Sequence, residues 1–221
     1  MLEQRLDQVE AKLAKAALRA GRRREDITLI AVTKKFPASV IREAYQLGLR
    51  DFGENYVQEF ETKSPDCVGL EGARFHLIGH LQSNKTAKAL ELFQVVQTVD
   101  SPKLARRLAE QSRSPLEIMI EVKLSPEESK VGAPPDSLPE LIEAIRQHQN
   151  LTLLGLMTMP PWSDDPEQTR PYFIRLRKLA EQHGLSQLSM GMSHDLEAAI
   201  EEGATMVRVG TGLFGPRPQP R

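Results

Sequence analysis

The chain has one cysteine among its 221 residues, Cys67. That excludes an internal disulfide and a cysteine-built zinc site. Cys67 sits in the loop Ser64-Pro65-Asp66-Cys67 with no histidine beside it, so it reads as an inert thiol rather than a nucleophile. Charge of one sign is also missing: 29 basic residues face 30 acidic ones, a net charge of −1. No global field therefore favours nucleic acid or an anionic membrane surface, and neither is expected as a partner. Long hydrophobic runs are absent, since nothing approaches the roughly 18 apolar residues of a membrane span. The amino-terminal stretch is charged from Glu3 onward and lacks the apolar core of a signal peptide, so a cytoplasmic location is expected. Aromatic residues are few, at 5%, with one tryptophan and three tyrosines.

What is present is ordinary in amount and regular in order. An apolar share of 40% and a charged share of 27% describe a globular chain. Its length suits one α/β domain, and no low-complexity linker divides it. Leu2, Leu6, Val9, Leu13 and Ala16-Ala17 recur at helical spacing, giving an amino-terminal helix closed by Gly21 over residues 1–21. The run Arg22-Arg23-Arg24, followed by Glu25 and Asp26, reads as a solvated turn. From residue 27 short apolar runs alternate with amphipathic segments. Strands are predicted at 28–36, 50–54, 74–78, 95–99, 116–122, 151–157, 185–190 and 206–209. Helices are predicted at 38–47, 55–62, 82–92, from Pro102, 138–148, 165–183 and 195–202. Eight strands alternating with helices predict a (β/α)8 TIM barrel. The rival, a doubly wound open sheet, needs a glycine-rich turn after the first strand, and Thr33–Pro37 has no glycine. The tail from Gly215 to Arg221, with three prolines, is expected to be extended, and 216–221 flexible.

The first strand organises the chemistry. Thr28-Leu29-Ile30-Ala31-Val32-Thr33 runs into Lys34-Lys35-Phe36-Pro37, and Pro37 forces the strand to end about there. Lysines at that place can be gatekeepers of a hydrophobic strand. Equally, a lysine at the mouth of a core is a candidate amine nucleophile, because desolvation lowers its pKa. In a barrel the active site gathers at the carboxyl ends of the strands, with an anion site after strands seven and eight. Gly191-Met192-Ser193-His194-Asp195 and Gly210-Thr211-Gly212 stand at those two places. Each loop alone reads as a helix cap, with Ser193 capping the helix that follows, or as a turn. Together they suggest a phosphate cup. Arg208 interrupts Val207-Arg208-Val209, so it points into the barrel and needs an acceptor, either a ligand or a strand glutamate such as Glu121. Glu54, Asn55, His80, Gln82, Asn84 and Lys85 lie near the same mouth, each also readable as a cap or surface residue. His80 has no second ligand at metal spacing, and no metal is expected. Ser193-His194-Asp195 cannot line up as a triad within one turn. Met157, Met159, Met190 and Met192 read as core filler. A lysine, an anion cup and an inward arginine suit one ligand, an aldehyde carrying a phosphate on an aromatic ring. The lysine would hold pyridoxal 5′-phosphate as a Schiff base.

These segments resemble the pyridoxal phosphate homeostasis proteins. The likeness is carried by Ala31-Val32-Thr33-Lys34, Phe52-Gly53-Glu54-Asn55-Tyr56-Val57-Gln58-Glu59 and Phe75-His76-Leu77-Ile78-Gly79-His80-Leu81-Gln82. It continues through Glu127-Glu128-Ser129-Lys130, Gly155-Leu156-Met157-Thr158-Met159-Pro160, Leu188–Ser193 and Val207-Arg208-Val209-Gly210-Thr211. The resemblance implies a fold-type III barrel like the amino-terminal domain of alanine racemase. It places the cofactor on Lys34, its phosphate at Ser193, Gly210 and Thr211, Arg208 at the pyridine nitrogen, and Asn55 and His80 along the ring. A fixed cation at that nitrogen would weaken the ring as an electron sink. Thr33 and Lys123 stand where the family commonly has serine and asparagine. The resemblance further implies a monomeric carrier in vitamin B6 and amino-acid homeostasis, with apo-enzymes that use the cofactor as recipients. A weak racemase or lyase, and a regulatory module docking a partner through its amino-terminal helix, are the alternatives. A racemase needs an acid–base group on each face of its substrate, and Tyr45, Tyr56 and Tyr172 all fall in or at helices, leaving only Lys34.

Overall fold

The computed structural model describes residues 1–127 and 131–216. The segment Glu128–Lys130 and the tail beyond Pro216, two of the expectations above, lie outside the described residues. Helix α1 (Leu2–Arg19) precedes strand β1 (Thr28–Val32), and the chain then alternates. Helix α2 (Ala38–Gln46) leads to β2 (Asp51–Glu54), α3 (Val57–Lys63) to β3 (Arg74–Leu77), and α4 (Thr86–Leu92) to β4 (Val95–Val99). After these come α5 (Pro102–Gln111), β5 (Leu116–Glu121), α6 (Leu138–Arg146) and β6 (Leu151–Met157). The chain closes with α7 (Arg170–Gln182), β7 (Gln187–Met192), α8 (Leu196–Glu201), β8 (Met206–Val209) and the short α9 (Thr211–Phe214). The strands pair in parallel in sequence order, and β1 pairs with β8 through Thr28↔Met206 and Ile30↔Arg208, so the sheet is a closed eight-stranded barrel.

Two cores result. The larger fills the space between sheet and helices and takes the outward residues of every strand, Leu29, Ala31, Phe52, Leu77, Val207 and Val209 among them. The smaller lies inside the barrel and consists of Ile30, Met119, Met157 and Met206. The lumen also holds buried polar side chains, His76, Gln97, Ser189 and Arg208, which no strand but β8 showed by its pattern alone. The apolar stripe of α1 is consumed by packing on α8 and α9, so Leu6, Val9 and Leu13 belong to the main core.

Several boundaries differ from expectation for local reasons. Strand β1 stops at Val32 because the next four residues turn, with the Phe36 N–H donating to the Thr33 carbonyl at 3.1 Å. Strand β7 starts two residues late. Gly184, at φ 66, ends α7 in the left-handed conformation, and the Leu185 N–H is spent on the Ala180 carbonyl. Helices α4 and α7 are each preceded by a 3-10 turn, Ser83–Lys85 and Pro166–Thr169, where one continuous helix is predicted from the periodicity. The arginine run is not merely solvated. Arg22 donates to the carbonyls of Ile200 and Ala204, and Arg24 pairs with Glu10, so two of the three tie α1 to the barrel wall.

Candidate functional site

A cavity of about 350 Å³ opens at the carboxyl ends of the strands. That volume is in the range of small-molecule sites. Lys34, Asn55, Ser193, Arg208, Gly210 and Thr211 all line it. The sequence places these residues on four different segments, and only closure of β8 onto β1 brings the first beside the last. His80 stands apart. Its half-exposed ring faces two neighbouring hollows, with Nδ1 3.8 Å from an Asp100 carboxylate oxygen. Lys85 and Gln82 line one of those hollows and Lys123 the other.

Lys34 occupies the second position of the turn Thr33–Phe36 and is partly buried. Lys35, the other candidate, is exposed and has φ 64, so its side chain leaves the cavity to its neighbour. Ser193 is not the cap that its place before α8 suggests. Its Oγ instead accepts the Gly212 N–H at 3.1 Å, joining the loop after β7 to the one after β8. The turn before α8 is held by Asp195, which accepts the Met192 N–H at 2.7 Å. Gly191 makes the approach possible: at φ 88 it takes a conformation side chains avoid, and a Cβ there would lie 2.4 Å from that of Ala199. A hydroxyl carries one proton and two lone pairs. Ser193 therefore still has a proton to donate.

Arg208 is buried. Its Nη1 donates to Ser189 Oγ at 2.6 Å and its Nη2 to the Thr158 carbonyl at 2.9 Å. Burial pulls its pKa down to about 10, against the opposing charges of Asp195 and Glu121, and it remains a cation at neutral pH. The expected pairing with a strand glutamate thus enters as a field, while its donors go to a hydroxyl and a carbonyl. Beneath it runs a chain of polar groups that sequence reading missed. Ser189 Oγ donates to Gln97 Oε1 at 2.6 Å. Gln97 Nε2 lies 3.0 Å from His76 Nδ1, and His76 Nε2 lies 2.9 Å from Asp51 Oδ1. A carboxylate only accepts, which fixes the proton of a neutral His76 on Nε2 and makes Nδ1 the acceptor for Gln97. Every donor then points one way, from the Arg208 cation at the mouth to the Asp51 anion at the far end. Hydrogen bonds aligned in series polarise one another.

Four further cavity residues were unforeseen as such. Met159 and Met192 line the wall, whereas Met157 and Met190 are core filler as expected. Trp162 lies over His194, ring centroids 4.9 Å apart, at the cavity edge, and His194 Nε2 donates to the Asp164 carbonyl at 3.0 Å. Their positions in the loops after β6 and β7 were the available signal. Cys67 is buried, and burial pushes its thiol pKa up, which suits an inert residue. Among the described residues no cluster of potential metal ligands occurs and no helix is long and apolar enough to cross a membrane.

Comparison with known proteins places the chain in a family. Residues 5–218 match the family described as alanine racemase, N-terminal domain. The chain is 46% identical over 221 residues to the pyridoxal phosphate homeostasis protein of Pseudomonas aeruginosa, covering 98% of this chain and 96% of that one. It is 42% identical to the protein of the same name from Escherichia coli, with 96% and 95% covered. Among solved structures, PipY of Synechococcus elongatus with pyridoxal phosphate bound superposes with a TM-score of 0.85 at 37% identity, over 97% of this chain and all of that one. An alanine racemase from Clostridium difficile shares the fold at a TM-score of 0.71 and 14% identity, with 57% of its length covered.

Proposed function

The chain belongs to the alanine racemase N-terminal domain family and, within it, to the pyridoxal phosphate homeostasis proteins; on that premise we propose that it holds pyridoxal 5′-phosphate in the barrel-mouth cavity and serves cofactor homeostasis. The observation that carries this reading is the meeting of Lys34 with Ser193, Gly210, Thr211 and Arg208 around one small cavity.

The residues fit the group. Gly212 forms part of a cradle that a side chain would fill, since a Cβ there would lie 3.0 Å from Val209 Cγ1 and 3.3 Å from Ser193 Oγ. The Ser193 hydroxyl and the backbone at Gly210 and Thr211, where α9 begins, would receive the phosphate; the Gly212 N–H is already given to Ser193 Oγ and those of Leu213 and Phe214 to the Gly210 carbonyl. Asn55 lines the cavity, and its buried Oδ1 has no hydrogen-bond partner in the protein, an acceptor left for a ligand. When bound, the cofactor supplies an aldehyde that condenses reversibly with an amine, here the Lys34 Nζ, as a Schiff base. Arg208 contributes donors and a permanent charge at the cavity floor and accepts nothing. It therefore supports binding and orientation without serving as a base. Trp162 and the two methionines narrow the access of water. Apo-enzymes that require the cofactor are the corresponding recipients, and the carrier acts as a monomer in the cytoplasm.

The test is spectroscopic. Protein loaded with pyridoxal phosphate is expected to show a visible absorption band that borohydride bleaches, and peptide mapping is expected to place the reduced adduct on Lys34. Lys34→Ala should lose the band. An adduct on Lys35, or none, would refute the reading.

A further inference from the structure

Three buried side chains beneath the Lys34 turn have no part in the chemistry above. Lys63, at the end of α3, is the one buried lysine among the described residues, with 8% of its side chain exposed. Its Nζ donates to the Thr33 carbonyl at 3.0 Å, and pairs with Glu54 Oε1 at 2.8 Å and Glu59 Oε1 at 2.7 Å. Thr33 Oγ1 donates to the same Glu54 oxygen at 2.8 Å. Glu59 Oε1 accepts the Lys35 backbone N–H as well. The two backbone groups that flank Lys34, the Thr33 carbonyl and the Lys35 N–H, are thus tied to one ammonium–carboxylate cluster.

The turn needs that support. Thr33 to Phe36 is closed by the bond from Phe36 N–H to the Thr33 carbonyl, and Lys35 stands at its third position with φ 64. Turns with positive φ at that position ordinarily carry glycine or asparagine there. Lys35 is the only non-glycine residue with positive φ among the described residues. A residue persists in such a conformation only when its surroundings fix it. Here the fixing groups are charged, with Lys63 and Glu54 buried and Glu59 partly exposed, and charge makes their hydrogen bonds strong ones. The cost is visible in Glu54, whose second carboxylate oxygen is buried without a partner.

We infer that Lys63 and Glu59 are positioning residues for Lys34: they hold the turn so that the Lys34 amine meets the cofactor aldehyde, while making no contact with the cofactor themselves. This inference rests on the reading of Lys34 given above. Neither residue lines the cavity, so losing one should spare the phosphate cup and impair only the bond to Lys34.

The experiment compares two ligands that share the ring and phosphate. Pyridoxal 5′-phosphate has the aldehyde, and 4′-deoxypyridoxine 5′-phosphate has a methyl group in its place. Dissociation constants for both are measured by equilibrium titration of unsubstituted apoprotein, Glu59→Ala and Lys63→Met, with thermal melts run in parallel. The expected result is that each substitution weakens the aldehyde ligand about tenfold or more and changes the methyl analogue by less than about twofold. Lys63→Met leaves Glu54 without its counter-charge. If that variant does not fold, Glu59→Ala, at a partly exposed site, decides the matter alone. Equal weakening of the two ligands, or no weakening of either, would overturn the inference while the aldehyde preference of the unsubstituted protein keeps the Lys34 reading intact. Absence of any aldehyde preference in the unsubstituted protein would overturn both.

Discussion

Arg208 and His76 are the residues in which chemistry and architecture meet most closely. A guanidinium deep in a barrel is tolerated only because Ser189 and the Thr158 carbonyl receive its protons and Asp195 and Glu121 lend it field. The polar chain below it makes a definite statement about one proton. Nitrogen NMR of the folded protein at neutral pH is expected to find His76 with its hydrogen on Nε2 and a bare Nδ1. A hydrogen on Nδ1 would mean that the chain from Arg208 to Asp51 does not run in one direction. Gln97→Leu should leave the Ser189 proton and His76 Nδ1 without partners, at about 1–3 kcal/mol per unpaired group in a denaturant titration. The inward arginine was legible beforehand, but the chain below it was not. Gln97 and Ser189 are three strands apart in sequence order, and no local pattern marks a residue as facing another across a barrel lumen.

At the level of elements, α1 is a structural part of the barrel. Its apolar stripe is buried on α8 and α9, Arg19 and Arg22 fasten its end to α8 and the carbonyls around it, and Arg24 ties the following turn back to Glu10 of the helix. The docking role considered for this helix would have to use its polar face. Leu13→Ala, at a fully buried site, is expected to cost about 2–5 kcal/mol, because the space it leaves refills only in part. Leu18→Ala, at an exposed site on the same helix, should stay within about 0.5 kcal/mol, and urea melts of the two variants make the comparison. Equal effects would show that the stripe is not packed as described. The helix itself was plain in the sequence, since its spacing of Leu2, Leu6, Val9 and Leu13 is local information. What Arg19 and Arg22 do was not, because their acceptors on and after α8 lie some 180 residues away along the chain.

For the molecule as a whole, Glu54 links stability to pH. Burial raises its pKa above the ordinary value of 4.5, against the pull of Lys63 and Thr33. A carboxyl with a raised folded-state pKa binds its proton more tightly folded than unfolded. Its contribution is therefore greatest below 4.5 and declines as pH rises through the folded value. Glu54→Gln is expected to flatten that decline in urea titrations taken from pH 4 upward. A profile unchanged by the substitution would place the linkage elsewhere. The same burial that strains Glu54 serves the Lys34 turn.

Local pattern by itself settled the strand count, the barrel and the loops after β7 and β8, together with the lysine at the end of β1. Those features follow from periodicity, glycine placement and the rule that parallel strands buried on both faces read as apolar runs. The partners of each polar side chain were decided only by closure of the sheet. His80 leaves the main cavity, Ser193 turns to Gly212, and Lys63 reaches back thirty residues to Thr33, because hydrogen-bond partners are chosen by distance in space, and sequence separation carries no record of it.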